Sequence, residues 1–508
     1  MRKVIKRIIP LVLIMTFIVT SSLIPVEVNA ETAEGKIRSL VPDVEKYYPG
    51  IEDYIAKCLR EYKTKIDITM YRVSVDNVPH VFKSAVFTNP DIFYVDASYI
   101  RYQFDSDRIV HYIIPDYTVK RSRIPAYIKK FNKSVKNFLS DIDSDLSDFR
   151  KALLIHDKMI INCQYKSSGD LSYTSYGALV NHKAVCEGYT RAYCYLLSKV
   201  GIESKCINND DKKHCWNYVK IGNYWYHVDV TSDDPMPDTC GYVSHKYFLL
   251  NDSKLNSYRS HEHRGYKSDI TYKTDYKCTN SRFNSSFFRN IKTEIVLYKN
   301  VYYFINNNYK GKHYSAFVSR KNNKNKTIML IKDRWDNNKG KLYKNSFSKL
   351  CALDNQIYIS TKRAIYRYKP NSGYLRRVFV MPEFWGNDFY GVESSGRYIL
   401  ANKKKSESSN AAKSKILYIR SDKSVLQLPF IRNSSVKIEQ RAKYSFKVYR
   451  GSGKVKYISS NKRIAKVNSK GIVTALRKGS CIIKAIKNKK TFKLKVAVLK
   501  RAKKKGTA

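Results

Sequence analysis

Acidic residues are scarce where basic ones abound. Residues 281–508 hold 10 Asp or Glu against 55 Lys or Arg, a net +45. The chain totals are 43 and 95, so residues 1–280 hold the other 33 and 40, a net +7. This shortage excludes a self-neutralised surface in the second half and points to anionic partners: wall polymers, acidic polysaccharides or lipid head groups. The ten cysteines contain no CxxC pair and no Cys/His spacing of a structural zinc site, which excludes zinc-ribbon architectures. Beyond residue 30 there is no apolar run near the roughly 20 residues a membrane helix needs.

Before residue 30 the pattern differs. Arg2, Lys3, Lys6 and Arg7 form a basic start, Ile8 to Leu23 is mostly apolar, and Val28-Asn29-Ala30 is a small-residue cleavage site. That layout predicts a signal peptide over 1–30 and a secreted protein. The competing reading is an uncleaved anchor, which Pro10, Thr20 and Ser21-Ser22 disfavour. Export would permit disulfides. It would also make wall polymers, and not nucleic acid, the expected partner. Six cysteines (Cys163, Cys186, Cys194, Cys206, Cys215 and Cys240) crowd together, but their pairing cannot be read from the sequence.

Residues 31–140 mix helical stretches (44–62, 124–139) with strand-like ones (92–95, 111–114). They run without a linker into a candidate helix over 147–162. We read 31 to about 275 as one α+β unit: a 31–140 extension and a 141–275 catalytic domain. From 285 to 430 short Tyr/Ile/Val strands alternate with Asn, Lys, Gly and Ser, as in LDNQIYISTKRAIYRYKPNSG (353–373). This predicts a propeller-like or irregular all-β module. A further β-rich stretch covers 431–498, and a basic tail covers 499–508.

The chemistry centres on AVCEGYT (184–190). After Cys186, the residues Tyr189, Ala192, Tyr193, Leu196, Leu197 and Val200 fall on one helical face, and Gly201 supplies the stop. A thiol in the first turn of that helix meets free N–H groups and the positive end of the dipole, which favour thiolate. HCWNYVKIGNYWYHVDV (214–230) predicts a hairpin turning at Gly222-Asn223. In that register, facing pairs sum to 445. Trp216 opposes Asp229, and His214 opposes Thr231. His214 and Asp229 then share a face as diagonal neighbours. The other face, with Cys215, Val219 and Ile221, is apolar enough to pack on the Cys186 helix. Each residue alone reads as structural. Together they read as nucleophile, general base and orienting carboxylate.

YGALVNHKAVCEGYTRAYCYLLSKVGIES and HCWNYVKIGNYWYHVDVTSDDP closely resemble the transglutaminase-like superfamily, specifically its bacterial secreted branch, over about residues 145–260. The resemblance implies a papain-like α+β fold and assigns Cys186, His214 and Asp229 as the triad. IHDKMIINCQY resembles the helix preceding the cysteine block, and 40–120, with FTNPDIFYVD, the branch's N-terminal extension. One departure is Ser232, where the branch often has Trp; altered cleft packing is expected. Tyr176, His182 and Trp216 are candidates for lining the cleft or its oxyanion site, beside the Cys186 N–H. His227 is expected to cover the sheet beside Trp225, and His156 with Asp157 to be structural. No cofactor or metal is expected.

KVKYISSNKRIAKVNSKGIVTALRKGSCIIKAI (454–486) resembles a bacterial Ig-like domain of group 2, a small β-sandwich. Such modules act as spacers or wall and adhesion domains. Three functions follow from these readings. One is an exported thiol enzyme cleaving protein or peptide amides through a thioester, with transfer or hydrolysis open. The second is a wall-directed cysteine peptidase with the same triad. The third is a surface adhesin that keeps the fold as a scaffold.

Overall fold

The computed structural model describes residues 24–29, 44–209, 214–236, 239–262, 277–309, 314–335, 347–383, 386–404, 412–420, 424–450, 453–487 and 490–500. Of the expected leader, only Ile24–Asn29 (β1) lies within these residues, hydrogen-bonded antiparallel to β3 (Val95–Phe104). The rest of the leader and residues 501–508 of the expected tail lie outside them.

The first half holds one large hydrophobic core and a smaller cluster around Trp216 and Leu255. Helices α1 (Val44–Tyr47), α2 (Ile51–Arg60) and α3 (Val78–Thr88) accompany a sheet in which β2 (Ile66–Asp67) pairs with β4 (Val110–Tyr117), and β4 with β3. Helix α4 spans Ile124–Leu139, opening at the N1/N2 proline that tolerates a helix start, and α5 spans Asp148–Asn162. The 147–162 helix is thus found one residue shorter. The 44–62 stretch is broken at Gly50, whose φ is 78°. Strand formation begins only at Val95, because Ile92, Phe93 and Tyr94 are buried in the core ahead of it.

At the centre lies α6 (Cys186–Lys199). Tyr189, Ala192, Tyr193, Leu196 and Leu197 are fully buried, as the periodicity requires. Gly188 is needed there: a Cβ would lie 2.5 Å from the Ser172 carbonyl. Arg191, also buried, donates from Nη2 to the Ile92 carbonyl at 3.2 Å and pairs through Nη1 with Glu187 at 3.2 Å. That contact joins the helix to the FTNPDIFYVD segment.

Ahead of α6 the short strands β5 (Gln164–Tyr165) and β6 (Lys183–Ala184) pair in parallel. Against α6 packs an antiparallel sheet, ordered β10 (Phe248–Leu250), β9 (Tyr224–Val228), β8 (His214–Ile221), β7 (Ser204–Asn209). The β8–β9 register runs from Ile221 opposite Tyr224 to Asn217 opposite Val228, as the hairpin sum requires. The ladder stops there. Asp229 caps the one-turn helix α7 (Val230–Asp233) instead of continuing the strand opposite Trp216. Helix α8 (Asp252–Glu262) follows.

Three four-stranded antiparallel sheets then succeed one another, joined strand to strand in order: residues 296–331, 350–380 and 388–427. Each is built like a propeller blade, and three such sheets do not close a ring. In the 353–373 segment, Gln356–Ser360 and Ala364–Lys369 form the two predicted strands around a basic turn. The last unit is a two-layer sandwich over a core of Phe446, Ile483, Leu494 and Val496, with strict in–out alternation along Lys490–Leu499.

The first half and the sheets meet at two backbone approaches. A Cβ on Gly391 (φ 131°) would lie 2.1 Å from the Cys240 carbonyl, and one on Gly241 (φ 67°) 2.3 Å from the Val392 carbonyl. Neither position has room for a side chain. Gly391→Ala is therefore expected to cost about 2 kcal/mol of stability through strain and overpacking. Thermal or denaturant unfolding checks this.

Candidate active site

Val185 is extended (φ −99°, ψ −179°) and caps α6, so Cys186 opens the helix. The thiol therefore sits at a turn whose N–H groups lack helical partners. Opposite it stands β8. Asn217 Nδ2 donates to the Thr190 carbonyl at 3.0 Å, fixing the strand along the helix. Two residues back on β8 and four back on α6, the same spacing brings Cys215 to Cys186. A two-residue strand step of about 6.7 Å nearly equals a four-residue helix step of about 6 Å.

Cys186 is hydrogen-bonded by both Cys215 and His214. His214 Nε2 lies 2.8 Å from Asp229 Oδ2, which leaves Nδ1 as the ring nitrogen for the thiol. Hydrogen bonding from Cys215 most strongly favours the Cys186 thiolate. Burial opposes it, and the hydrogen bond and charge of His214 with the Cys215 N–H reinforce it, lowering Cys186 to about 4. Burial works against a charged His214, but the Asp229 carboxylate and Cys186 outweigh it and raise His214 to about 10. Cys215 is pushed upward by its bond to Cys186 and by burial, so it keeps its proton. Between these limits the site is a thiolate–imidazolium pair.

Asp229 is held from behind. Ser232 donates from its backbone N–H to Oδ1 at 3.0 Å and from its hydroxyl to Oδ2 at 2.7 Å. Where the related branch often has Trp, this chain has a hydrogen-bond donor to the carboxylate. The imidazole is held from below. The Trp216 ring stacks on it (centroids 5.8 Å, 25°), and Trp216 Nε1 donates to His227 Nδ1 at 3.1 Å. His227 must therefore carry its proton on Nε2, which faces Asp252 Oδ1 at 2.8 Å. His227 is buried on the same strand face as Trp225, over the sheet as expected, with Trp216 and Asp252 engaging both its nitrogens.

The structure brings together Cys186, His214, Asp229 and Trp216 but separates two cleft candidates from them. Tyr176 is buried among Phe93, Tyr127 and Phe131, with centroids at 4.7, 5.2 and 6.5 Å, and belongs to that aromatic core. His182 is exposed at a left-handed turn (φ 55°), beside a cavity of about 280 Å³ lined by Ser134, Phe138, Lys158 and Leu179. Both are corrections to the expected cleft. Tyr165 was not singled out by its sequence. Half-buried, its hydroxyl is raised by burial and then by Cys186, Tyr173, Asp229 and Cys215, which places it at the triad.

A second polar cluster lies behind the first. His156 bridges Asp157 (2.9 Å) and Asp233 (3.3 Å), and His245 joins Asp157 (3.0 Å) to the Ile291 carbonyl (3.0 Å). Burial disfavours charge on His156, but the two carboxylates raise it to about 9. Both His156 nitrogens are spent on buried carboxylates. Among the described residues, His156–Asp157–His245 and His227–Asp252–Cys278 have metal-ligand proximity. Protein hydrogen bonds occupy both sets, and the Nε2 proton of His227 blocks the second.

With this geometry in view, family comparison gives two matches. Residues 136–230 match the transglutaminase-like superfamily, and residues 433–498 the bacterial Ig-like domain (group 2). The chain thus carries a transglutaminase-like domain followed by an all-β region ending in an Ig-like domain. No curated protein matches the sequence. Among solved structures, similarity is found to domains 4 and 5 of the S-layer protein SbsC. Identity is 20%, the TM-score 0.14, and coverage 20% of this chain and 64% of that one. A TGase is 11% identical, with a TM-score of 0.19 and coverage of 33% and 51%. The extracellular domain of BT4673, a putative one component system from B. thetaiotaomicron, is 10% identical, with a TM-score of 0.19 and coverage of 56% and 43%. The chain thus spans less than two thirds of each. Among the described residues, no helix is long and apolar enough to cross a membrane.

The charge pair sets a pH profile. The thiolate is present above about 4 and lost as pH falls through that value. Labelling of Cys186 by iodoacetamide is therefore expected to be nearly flat from about pH 5 to 9. In His214→Ala its midpoint should climb toward the ordinary thiol value of about 8.5. Peptide-resolved labelling rates across pH test both.

Proposed function

We propose that the protein is an exported thiol enzyme that opens protein or peptide amide bonds through a thioester on Cys186. The supporting observation is the 2.8 Å His214–Asp229 contact on a ring that also engages a helix-start cysteine. The Cys186 thiolate attacks the amide carbonyl carbon while its own N–H faces the developing oxyanion. His214 then passes its proton to the leaving nitrogen, and C–N cleavage leaves the thioester. An incoming amine or water, deprotonated by the now neutral His214, resolves it. Asp229 keeps the ring oriented and stabilises its charged form. Amine gives transfer, and water gives peptidase chemistry.

The same reading places the enzyme at the cell wall. On the Ig-like sandwich, Lys437, Lys456, Lys484, Lys493 and Lys495 are exposed on one sheet face. Lys484 stands directly opposite Lys493, an arrangement that repels itself unless an anion lies across it. A polyanion such as wall polymer meets that need.

Two experiments test the two parts. A Gln-containing peptide offered with a primary amine should yield the amine adduct or the hydrolysed Glu product. Cys186→Ala should abolish either, with turnover falling by at least about 1000-fold, and unchanged product from that variant defeats the reading. Retention on isolated walls should weaken as salt rises, and at lower salt still in Lys484→Glu/Lys493→Glu. Retention indifferent to salt removes charge as the anchor.

A further inference from the structure

The triad leaves one reactive neighbour unused. Cys215 directly follows the base in sequence, yet its sulfur, like the base, meets Cys186. The contact is built in: the Asn217–Thr190 hydrogen bond sets the strand along the helix, and the matching repeats place Cys215 over Cys186. Neither sulfur is in a disulfide; Cys186 is half-buried and Cys215 buried. Serine or alanine would pack as well against a helix start. A second thiol adds chemistry.

We propose that Cys215 is a resolving cysteine that closes a reversible Cys186–Cys215 disulfide when peroxide reaches the site. This rests on Cys186 being the thiolate nucleophile proposed above. The Cys186 sulfur attacks one peroxide oxygen. An S–O bond forms, the O–O bond breaks, and the departing hydroxide takes the His214 proton and leaves as water. Cys186 is now a sulfenic acid, oxidised by two electrons, and the peroxide is reduced. The Cys215 sulfur then attacks the sulfenic sulfur: an S–S bond forms and the S–O bond breaks. The Cys215 proton passes through neutral His214 to the leaving hydroxide, releasing a second water. The bond caps the nucleophile and protects it from sulfinic and sulfonic acid. A thiol reductant reopens it.

Trypsin places the two cysteines on separate peptides, 184–191 and 214–220, and Cys194 and Cys206 on two others. The full chain is labelled with iodoacetamide near neutral pH before peroxide, after it, and after dithiothreitol. The expected results are fast labelling of Cys186 at first and a fall of at least about tenfold with peroxide, in step with a cross-linked 184–191/214–220 peptide. Labelling should recover on reduction. Cys215→Ser should yield no cross-link and should drive Cys186 irreversibly to sulfinic acid. Fast initial labelling without that cross-link, or with a Cys194–Cys206 bond alone, overturns the resolving role and leaves the nucleophile standing. Slow initial labelling of Cys186 overturns both.

Discussion

One lateral register governs the site: the placement of strand β8 along helix α6. It is set by a buried hydrogen bond from Asn217 to the Thr190 carbonyl. Slipping the strand by one residue would turn Cys215 and Asn217 away from the helix and put the His214–Trp216 face against it, breaking the alignment of the site. Asn217 leaves its Oδ1 buried without a protein partner, a cost that a purely structural contact would have no reason to keep. The ion pair, the thiol neighbour and the stacked indole all inherit their positions from this alignment.

The Asp229 carboxylate is also tied to the interior. Asp229 opens α7 and Asp233 closes it, so the residue that orients His214 and the one that binds the buried His156 lie on one helical turn. Asp233 in turn receives the Tyr247 N–H, and Asp157 receives the Ile295 N–H at 2.8 Å. A continuous polar path therefore runs from the active site to the first blade-like sheet. Buried charges of this kind are costly unless every bond is made, and here both His156 nitrogens and both Asp157 oxygens are engaged.

Much of this was legible because it follows short-range rules. The apolar spacing after Cys186 fixed its helix face, and the Gly222-Asn223 turn fixed the hairpin register. Tyr-rich strands with Asn and Lys turns foretold the four-stranded sheets, though not their number, which no local pattern encodes. Asp229 was assigned to the right partner for a partly wrong reason. Asp-Val-Thr-Ser is an N-cap sequence, and capping ended the strand before the ladder reached it. Tyr176 and His182 precede Cys186 by only a few residues, but nearness in sequence is not nearness in space. The π-turn over 177–181 sends them elsewhere. Cys215 could have been found, since it lies on the strand face already assigned to the helix. Tyr165 could not, because only tertiary packing brings its short strand to the triad.

The two side-chain-free approaches at Gly241 and Gly391 have a mechanical meaning. There main chain meets main chain with no side chain between, so the thiol-bearing half and the blade-like sheets are packed backbone to backbone. At the far end, Arg450 of the sandwich region donates to the Val380 carbonyl at 3.2 Å and lies over the Phe379 ring. Were the lysine face the anchor proposed above, these contacts would carry its position through the sheets to the Cys186 thiol, and substrates at one standoff from the wall would be favoured.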